Sequence, residues 1–220
     1  MCIRDSTPPG RKSVPRRAQE LPPLPVTRAR IGKQPATEIF QDMGENMVKD
    51  LQEIRRDLHR HPEIGLHLPR TQQKVLEALE GLPLEIHVGQ DLSSVVAVLR
   101  GGKRGERPVS VLLRADMDAL EVHEQTGSPF ASINEYMHAC GHDLHTAGLI
   151  GAARMLCEHR EELHGDVTFM FQPGEEGPGG AQPMIEEGVL DAAGRRPIAA
   201  YGLHVGPQDR GTFHYVPGPM

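Results

Sequence analysis

Short apolar runs alternate with helical stretches along this chain, and the alternation limits the folds open to it. The runs at 95–99 and 109–113 are rich in β-branched residues and end in turn residues, so each predicts a buried strand. Two further strands are predicted at 166–171 and 198–205. Strands interleaved with helices favour an α/β fold, here a three-layer α/β/α domain around a mostly parallel or mixed sheet.

The helices are indicated by apolar residues at helical spacing. From about residue 41, such residues recur every three or four positions: Met43, Met47, Leu51, Ile54 and Leu58. Pro62 ends this helix, and a second helix is predicted over about 71–80. A third is predicted over 147–157, with its start close after Asp143.

Composition narrows the class of protein. The chain has 220 residues, of which 38% are apolar, enough to build a buried core. No apolar run approaches the roughly 18 residues of a membrane-spanning helix, so we expect no membrane partner. Cys2, Cys140 and Cys157 match no disulfide framework, which favours a reducing, cytoplasmic location. Cys157 is predicted to be a small buried residue.

Charge separates the first part of the chain from the rest. Residues 1–35 hold eight of the 24 basic residues, two of the 30 acidic residues and seven of the 19 prolines. A basic, Pro-rich segment buries too little apolar surface to fold, so 1–40 is predicted to be a disordered leader. Three interpretations of this segment are open: an adventitious extension, a transit peptide or a nucleic-acid-binding arm. Its prolines argue against a transit peptide, and the acidic rest of the chain argues against a nucleic-acid-binding arm.

Side chains that bind metals follow the predicted strands. Asp116 and Asp118 come after one strand, Glu175 and Glu176 after another, and His204 near the end of a third. In α/β sheets, ligands bind beyond the carboxyl ends of the strands. We therefore expect these groups to line one site.

Cys140 and His142 bring a thiol and an imidazole to that site. Two residues apart, they share a side only in extended chain, and Gly141 between them permits an unusual backbone angle. The spacing predicts a loop here, with His145 on the first turn of the following helix. Thiolate and imidazole favour borderline or soft divalent metals, and the paired glutamates can supply a general base.

Other interpretations of the same residues stay open. A non-catalytic metal-binding module needs Cys140 and His142 but not the base, and a thiol enzyme would use Cys140 as its nucleophile. Taken alone, a cysteine or histidine is usually not a ligand, and a glutamate pair is usually a solvated turn. A zinc nucleobase deaminase is disfavoured because the chain has no Pro-Cys-x-x-Cys sequence.

Five motifs in order give a specific family resemblance that runs from about residue 45 to the end of the chain. They lie at 58–63, 113–120, 137–143, 171–180 and 202–205. Together they resemble the hippurate hydrolase and indoleacetyl-amino-acid hydrolase branch of the aminoacylase/carboxypeptidase-type dinuclear metallopeptidases. The resemblance implies a metal-dependent amidohydrolase that cleaves N-acyl amino acids with metal-activated water. The acidic body of the chain separately indicates no nucleic-acid partner.

The resemblance also implies roles for individual residues. Two divalent ions, Mn, Zn, Co or Ni, would be held by four ligands: Cys140, His142, Glu176 and His204. Glu175 corresponds to the general base. Asp116 corresponds to the acidic residue that orients the metal site from behind the ligands.

This chain departs from the family pattern at three places. Glu121 stands where the family usually has Pro, and Gly174 where it usually has Ala. Beyond Met220 the family continues into a satellite domain that mediates dimerisation, and then returns with a further His ligand. We therefore expect 41–220 to be the N-terminal part of an incomplete catalytic domain, weakly active or inactive alone, and the full-length form to be a homodimer or homo-oligomer.

Overall fold

A computed structural model of the chain describes residues 44–106, 108–207, 209 and 212. The predicted leader 1–40 and Met43 lie outside the described residues. The helices are α1 (Gly44–Arg60), α2 (Pro69–Leu79), α3 (His142–Glu158) and α4 (Ala181–Glu186), with short 3₁₀ turns at Arg160–Glu162 and Val189–Asp191. The strands are β1 (Leu84–Val88), β2 (Val95–Leu99), β3 (Ser110–Asp116), β4 (Asp166–Gln172) and β5 (Ala199–Gly202).

Within the described residues, these strands form one mixed sheet in the order β1-β2-β4-β3-β5. β3 is parallel to both β4 and β5, whereas β2 is antiparallel to β1 and β4. Asp116 pairs with Gln172, and Arg114 pairs with Gly202. The parallel register therefore brings the carboxyl ends of β3, β4 and β5 to one edge of the sheet.

Apolar side chains alternate along the strands and fill two cores, as a period of two requires. Phe169 and Phe171 belong to the core beneath α1, α2 and α3, whereas Met170 belongs to the core beneath α4. Ile150 of α3 and the thiol of Cys157 are also buried in the first core. Helices thus cover both faces of the sheet, which confirms the predicted α/β class.

Two differences from the sequence prediction concern the sheet edges. β1 was not predicted, because four of its five residues are exposed and the strand has no buried apolar run. β5 is shorter than the predicted 198–205 and ends at Gly202, because the chain then leaves the sheet and crosses to α3. Among the described residues, no helix combines the length and the apolar composition that a bilayer crossing requires.

Candidate metal centre

The structure gathers the predicted site residues at the edge where β3, β4 and β5 end. Asp116 is the last residue of β3, and the glutamates follow β4 within three to four residues. His204 comes two residues after β5. The beginning of α3 faces the same edge: His142 is its first residue, and Cys140 lies two residues before it. All six predicted residues are therefore neighbours: Asp116, Cys140, His142, Glu175, Glu176 and His204.

The imidazole of His142 lies at the centre of this group. Its Nδ1 lies 2.8 Å from the carbonyl oxygen of Asp118. A carbonyl oxygen only accepts, so this contact assigns a proton to Nδ1 and leaves Nε2 available to bind a second proton or a metal ion. Nε2 is 3.6 Å from Asp116 Oδ2 and 3.8 Å from both Glu175 Oε2 and Glu176 Oε1. It is buried and has no hydrogen-bond partner in the described part of the chain.

Three carboxylates facing one imidazole nitrogen form a pocket for positive charge. Burial lowers the pKa of His142, but Asp118 and Asp116 outweigh burial and raise it above its ordinary value. Only acceptors surround Nε2, so a cation is the species that satisfies all of them at once. The orphaned atoms of this pocket, His142 Nε2 and Glu176 Oε1, thus fit a bound metal ion.

The donor set suits a divalent transition metal. One ligand atom each from Cys140, His142 and Glu176 lies within 4.8 Å of the others. The Sγ of Cys140 is also 3.9 Å from Nε2 of His204. Thiolate, imidazole and carboxylate together are ligands of Zn²⁺ and its neighbours rather than of Mg²⁺ or Ca²⁺.

The surroundings of Cys140 disfavour a thiol nucleophile. Burial, then Glu176 and Glu175, raise the pKa of the Cys140 thiol to about 11. A nucleophilic cysteine needs a nearby cation or base that lowers its pKa. Here carboxylates surround the sulfur, so the thiol of the metal-free protein stays protonated at neutral pH.

Asp118 also makes contacts that orient the site, in addition to Asp116, for which the family resemblance implies that role. Its Oδ1 and Oδ2 accept hydrogen bonds from the backbone N–H groups of Glu175 and Glu176, each at 2.9 Å. Its carbonyl oxygen holds His142. The two aspartates lie two residues apart after the same strand, so the sequence pattern does not distinguish their contacts.

Asp116 is bonded differently. Its Oδ1 accepts a hydrogen bond of 2.6 Å from Nδ1 of His145, and its Oδ2 accepts one of 2.5 Å from Arg114. Burial opposes ionisation, but His145, His142 and Arg114 together hold the pKa of Asp116 below its ordinary value. His145 was located on the first helical turn by the sequence analysis but was not counted among the site residues.

A buried charge network that the sequence analysis missed lies beside the site. His59 of α1 bridges two carboxylates: Nδ1 is 2.7 Å from Asp143 Oδ2, and Nε2 is 3.2 Å from Glu124 Oε1. Arg55 Nε lies 2.8 Å from the same Asp143 oxygen. The hydrogen bond to Asp143 raises the pKa of His59 against the effect of burial. The network connects α1 to the first turn of α3, where His142 lies.

Replacing His59 by Gln is expected to destabilise the metal-free protein more at about pH 6 than at about pH 9.5. The imidazolium contributes fully below its ordinary pKa of 6.5, and the contribution is lost as pH rises through the raised folded pKa. We expect a loss of roughly 1–3 kcal/mol at the lower pH. Urea unfolding at both pH values measures it, and an equal loss at both would contradict an imidazolium at this position.

A cavity of about 670 Å³ opens beside Cys140 and His204. Its wall is largely apolar and includes Phe130, Met137, His138, Leu144 and Val205. His138 is buried, and both of its ring nitrogens are without a hydrogen-bond partner in the described structure. Burial lowers the pKa of His138 to about 4, so the ring is neutral at physiological pH.

Gly141 allows the start of α3 to approach the chain after β5. Its φ of 82° lies in the left-handed region, and a Cβ at this position would overlap Cγ2 of Val205. This agrees with the unusual backbone angle predicted for Gly141. Any side chain here would strain the backbone and displace Val205.

The substitution Gly141→Ala is expected to lower the free energy of unfolding by at least about 1–2 kcal/mol, the cost of left-handed backbone in a residue with a Cβ. Gly148→Ala, in the same helix, is the matched control, because a Cβ there meets nothing within 4 Å. The control is expected to gain roughly 0.5–1 kcal/mol. Urea denaturation compares the two, and the same sign for both would contradict the constraint at Gly141.

Comparison with known proteins gives consistent matches over this region. Residues 112–218 match the model of peptidase family M20/M25/M40. An N-acetylcysteine deacetylase of Bacillus subtilis is 44% identical over 170 residues, which cover 76% of this chain and 43% of that protein. Thermostable carboxypeptidase 1 of Saccharolobus solfataricus is 38% identical over 191 residues, 81% of this chain and 47% of that protein.

A solved structure shares the fold as well as the sequence. It is a dinuclear metal binding peptidase of the M20 family from Bacillus subtilis, 41% identical, with a TM-score of 0.68. The match covers 74% of this chain and 45% of that one. The chain thus spans less than half of the length of the relatives it matches.

Proposed function

On the premise that this chain belongs to peptidase family M20/M25/M40, we propose that the protein carrying it is a metal-dependent hydrolase that cleaves the amide bond of N-acyl amino acids. The observation that carries the proposal is the buried Nε2 of His142, which has no hydrogen-bond partner among the described residues and faces Asp116, Glu175 and Glu176. A cation bound there would lie beside both Cys140 and an open cavity.

Four residues would hold two divalent ions: Cys140, His142, Glu176 and His204. When bound, the ions supply a Lewis acid for the amide carbonyl and make water acidic enough to react near neutral pH. The hydrogen bond from His142 Nδ1 to the Asp118 carbonyl fixes the ring, so that Nε2 would be the atom available to bind an ion. Ligand chemistry alone leaves Mn, Zn, Co and Ni as candidates.

Glu175 is the proposed general base. The backbone N–H groups of both glutamates donate to the carboxylate of Asp118, so their backbones are fixed together, and both side chains reach His142 Nε2 at 3.8 Å. The side chain of Glu175 is 42% exposed and that of Glu176 is 22% exposed, which leaves Glu175 free to reach water in the site. Glu175 removes the proton of the attacking water and returns it to the departing amine.

The cavity supports a substrate with an apolar acyl group. Relatives are named deacetylases of N-acetylated amino acids, and a cavity of about 670 Å³ has room for an acyl group much larger than acetyl. We therefore propose benzoyl (hippurate-like) and indoleacetyl conjugates as substrates alongside N-acetyl amino acids. Hydrolysis of these three conjugate classes by the complete protein, loaded in turn with Mn, Zn, Co and Ni, tests the proposal.

A metal chelator separates this proposal from a thiol mechanism. A metallohydrolase loses activity on chelation and regains it when metal is restored, whereas a thiol nucleophile keeps its activity. Activity that survives complete metal removal would contradict the proposal. We also propose that the protein is cytoplasmic and forms a homodimer or a larger homo-oligomer. The free thiols of Cys140 and Cys157 support the cytoplasmic location.

A non-catalytic metal-binding fragment is the second candidate. The chain spans less than half of its relatives, and the site lies open on one side at the cavity. We propose that the 220-residue chain alone binds its first metal ion well and its second poorly. Equilibrium dialysis with Zn²⁺ measures the stoichiometry, and two ions of equal affinity together with fast hydrolysis by the isolated chain would contradict this.

A further inference from the structure

The chain after β5 is held to the rest of the protein by very few contacts. Outside the strand ladder, the described residues show one hydrogen bond from a backbone N–H of 203–207, from Val205 to Nε2 of His145, at 2.9 Å. Leu203 is 72% exposed, and Val205 is 40% exposed. The position of His204 therefore depends strongly on the partner of its neighbour Val205.

The two hydrogen bonds of His145 assign its tautomer. The N–H of Val205 can only donate, so Nε2 of His145 accepts and Nδ1 carries the proton. Nδ1 then donates to Asp116 Oδ1 at 2.6 Å. Asp116 is itself fixed by Arg114 and by Thr146, whose hydroxyl donates to its backbone oxygen.

With these two hydrogen bonds in place, His145 has no ring nitrogen left to bind a metal ion. Asp116, His142 and His145 each offer an atom within 4.8 Å of the others, which is a spacing that a metal ion could use. Both ring nitrogens of His145 are already occupied, however, and a nitrogen that accepts from a backbone N–H cannot also bind a metal. His145 therefore acts on the site through other residues.

Packing reinforces the hydrogen bond. The side chain of Val205 lies where Gly141 lacks a Cβ, and the ring of His204 packs edge-on against His145 with centroids 5.0 Å apart. His204 Nε2 then lies 3.9 Å from Cys140 Sγ. The His145 ring thus contacts the His204 ring directly and also holds the backbone of its neighbour Val205. Together these two contacts determine where the His204 imidazole points.

We infer that His145 is a positioning residue: its Nε2 holds the Val205 backbone and thereby places His204 beside Cys140, while its Nδ1 is anchored on Asp116. The effect on metal affinity rests on the proposed function, because it requires His204 to be a ligand. The tether itself does not, and it can be measured in the metal-free protein.

Two substitutions separate the halves of the His145 ring. In His145→Asn the side-chain amide can keep the donor at the Nδ1 position but cannot reach Val205. In His145→Gln the side-chain oxygen can keep the acceptor at the Nε2 position for the Val205 N–H. His145→Ala removes both, and His204→Ala removes the proposed ligand while leaving the tether in place.

Hydrogen exchange of the metal-free chain tests the tether. The Val205 amide is expected to be protected in the wild type, in His145→Gln and in His204→Ala, and to exchange at least about tenfold faster in His145→Asn and His145→Ala. Thermal melting identifies any variant that fails to fold. Equal exchange in His145→Gln and His145→Ala, or full protection in His145→Asn, would overturn the inference.

Zn²⁺ affinity, measured by competition with a chromophoric chelator, tests the consequence for the metal site. His145→Asn and His145→Ala are expected to weaken binding about 10–100-fold, and His145→Gln to stay close to wild type. Unchanged affinity in His145→Asn together with weakened affinity in His204→Ala would overturn the positioning role. Unchanged affinity in His204→Ala would instead overturn the proposed ligand set, and the exchange result would then support the tether alone.

Discussion

Replacing Glu175 by Gln in the complete protein that carries this chain is expected to lower the rate of amide hydrolysis by about 10²–10⁴-fold. The amide of Gln has nearly the shape of the carboxylate but cannot take a proton from water. Metal content is expected to stay at the wild-type level, because Glu175 is the more exposed of the two glutamates and is not among the four proposed ligands.

The neighbouring residue provides the matched control. Glu176→Gln removes the same charge one position along the chain, and there we expect loss of metal together with loss of rate. Single-turnover kinetics and metal analysis of both variants separate the two roles. Hydrolysis by Glu175→Gln within about tenfold of the wild type, at equal metal content, would remove Glu175 from the mechanism.

The substitution His142→Ala is expected to weaken the affinity of the chain for Zn²⁺ by more than about 100-fold, since substitutions behind the ligands already cost 10–100-fold. The variant loses a ligand atom that is 1% exposed and is oriented by the Asp118 carbonyl.

Calorimetric titration with Zn²⁺ measures this affinity. His87→Ala is a suitable control, because His87 is exposed on β1, three strands from β3 in the sheet order, and lines a different cavity from that beside Cys140. We expect the control to bind Zn²⁺ as the wild type does. Wild-type affinity in His142→Ala would show that the cation pocket lies elsewhere.

The strands whose bounds the sequence predicted most closely are those with a buried apolar run. β2 and β4 are buried along their whole length, and both were predicted to within one residue. β1 was not predicted because it is an exposed edge strand. It is held by backbone pairing to β2, and any residue type can make such pairs. Backbone pairing leaves little trace in the side-chain pattern.

The contacts of the site divide in the same way into those that the sequence predicts and those that it does not. Residues that follow strand ends or share one motif could be grouped from the sequence, and the structure places all six of them together. Contacts between distant segments could not be predicted: His59 meets Asp143 across 84 residues, and His145 meets the backbone of Val205 across 60. Every residue except Pro has a backbone N–H, so no sequence motif indicates which one will donate such a hydrogen bond.

X-ray absorption spectroscopy of the Zn²⁺-loaded chain tests the central claim most directly, because it reports the atoms bound to the metal. The account predicts one sulfur at about 2.3 Å and nitrogen or oxygen neighbours at about 2.0–2.2 Å, with the sulfur lost in Cys140→Ser. A shell of nitrogen and oxygen alone in the wild type, unchanged in Cys140→Ser, would contradict it.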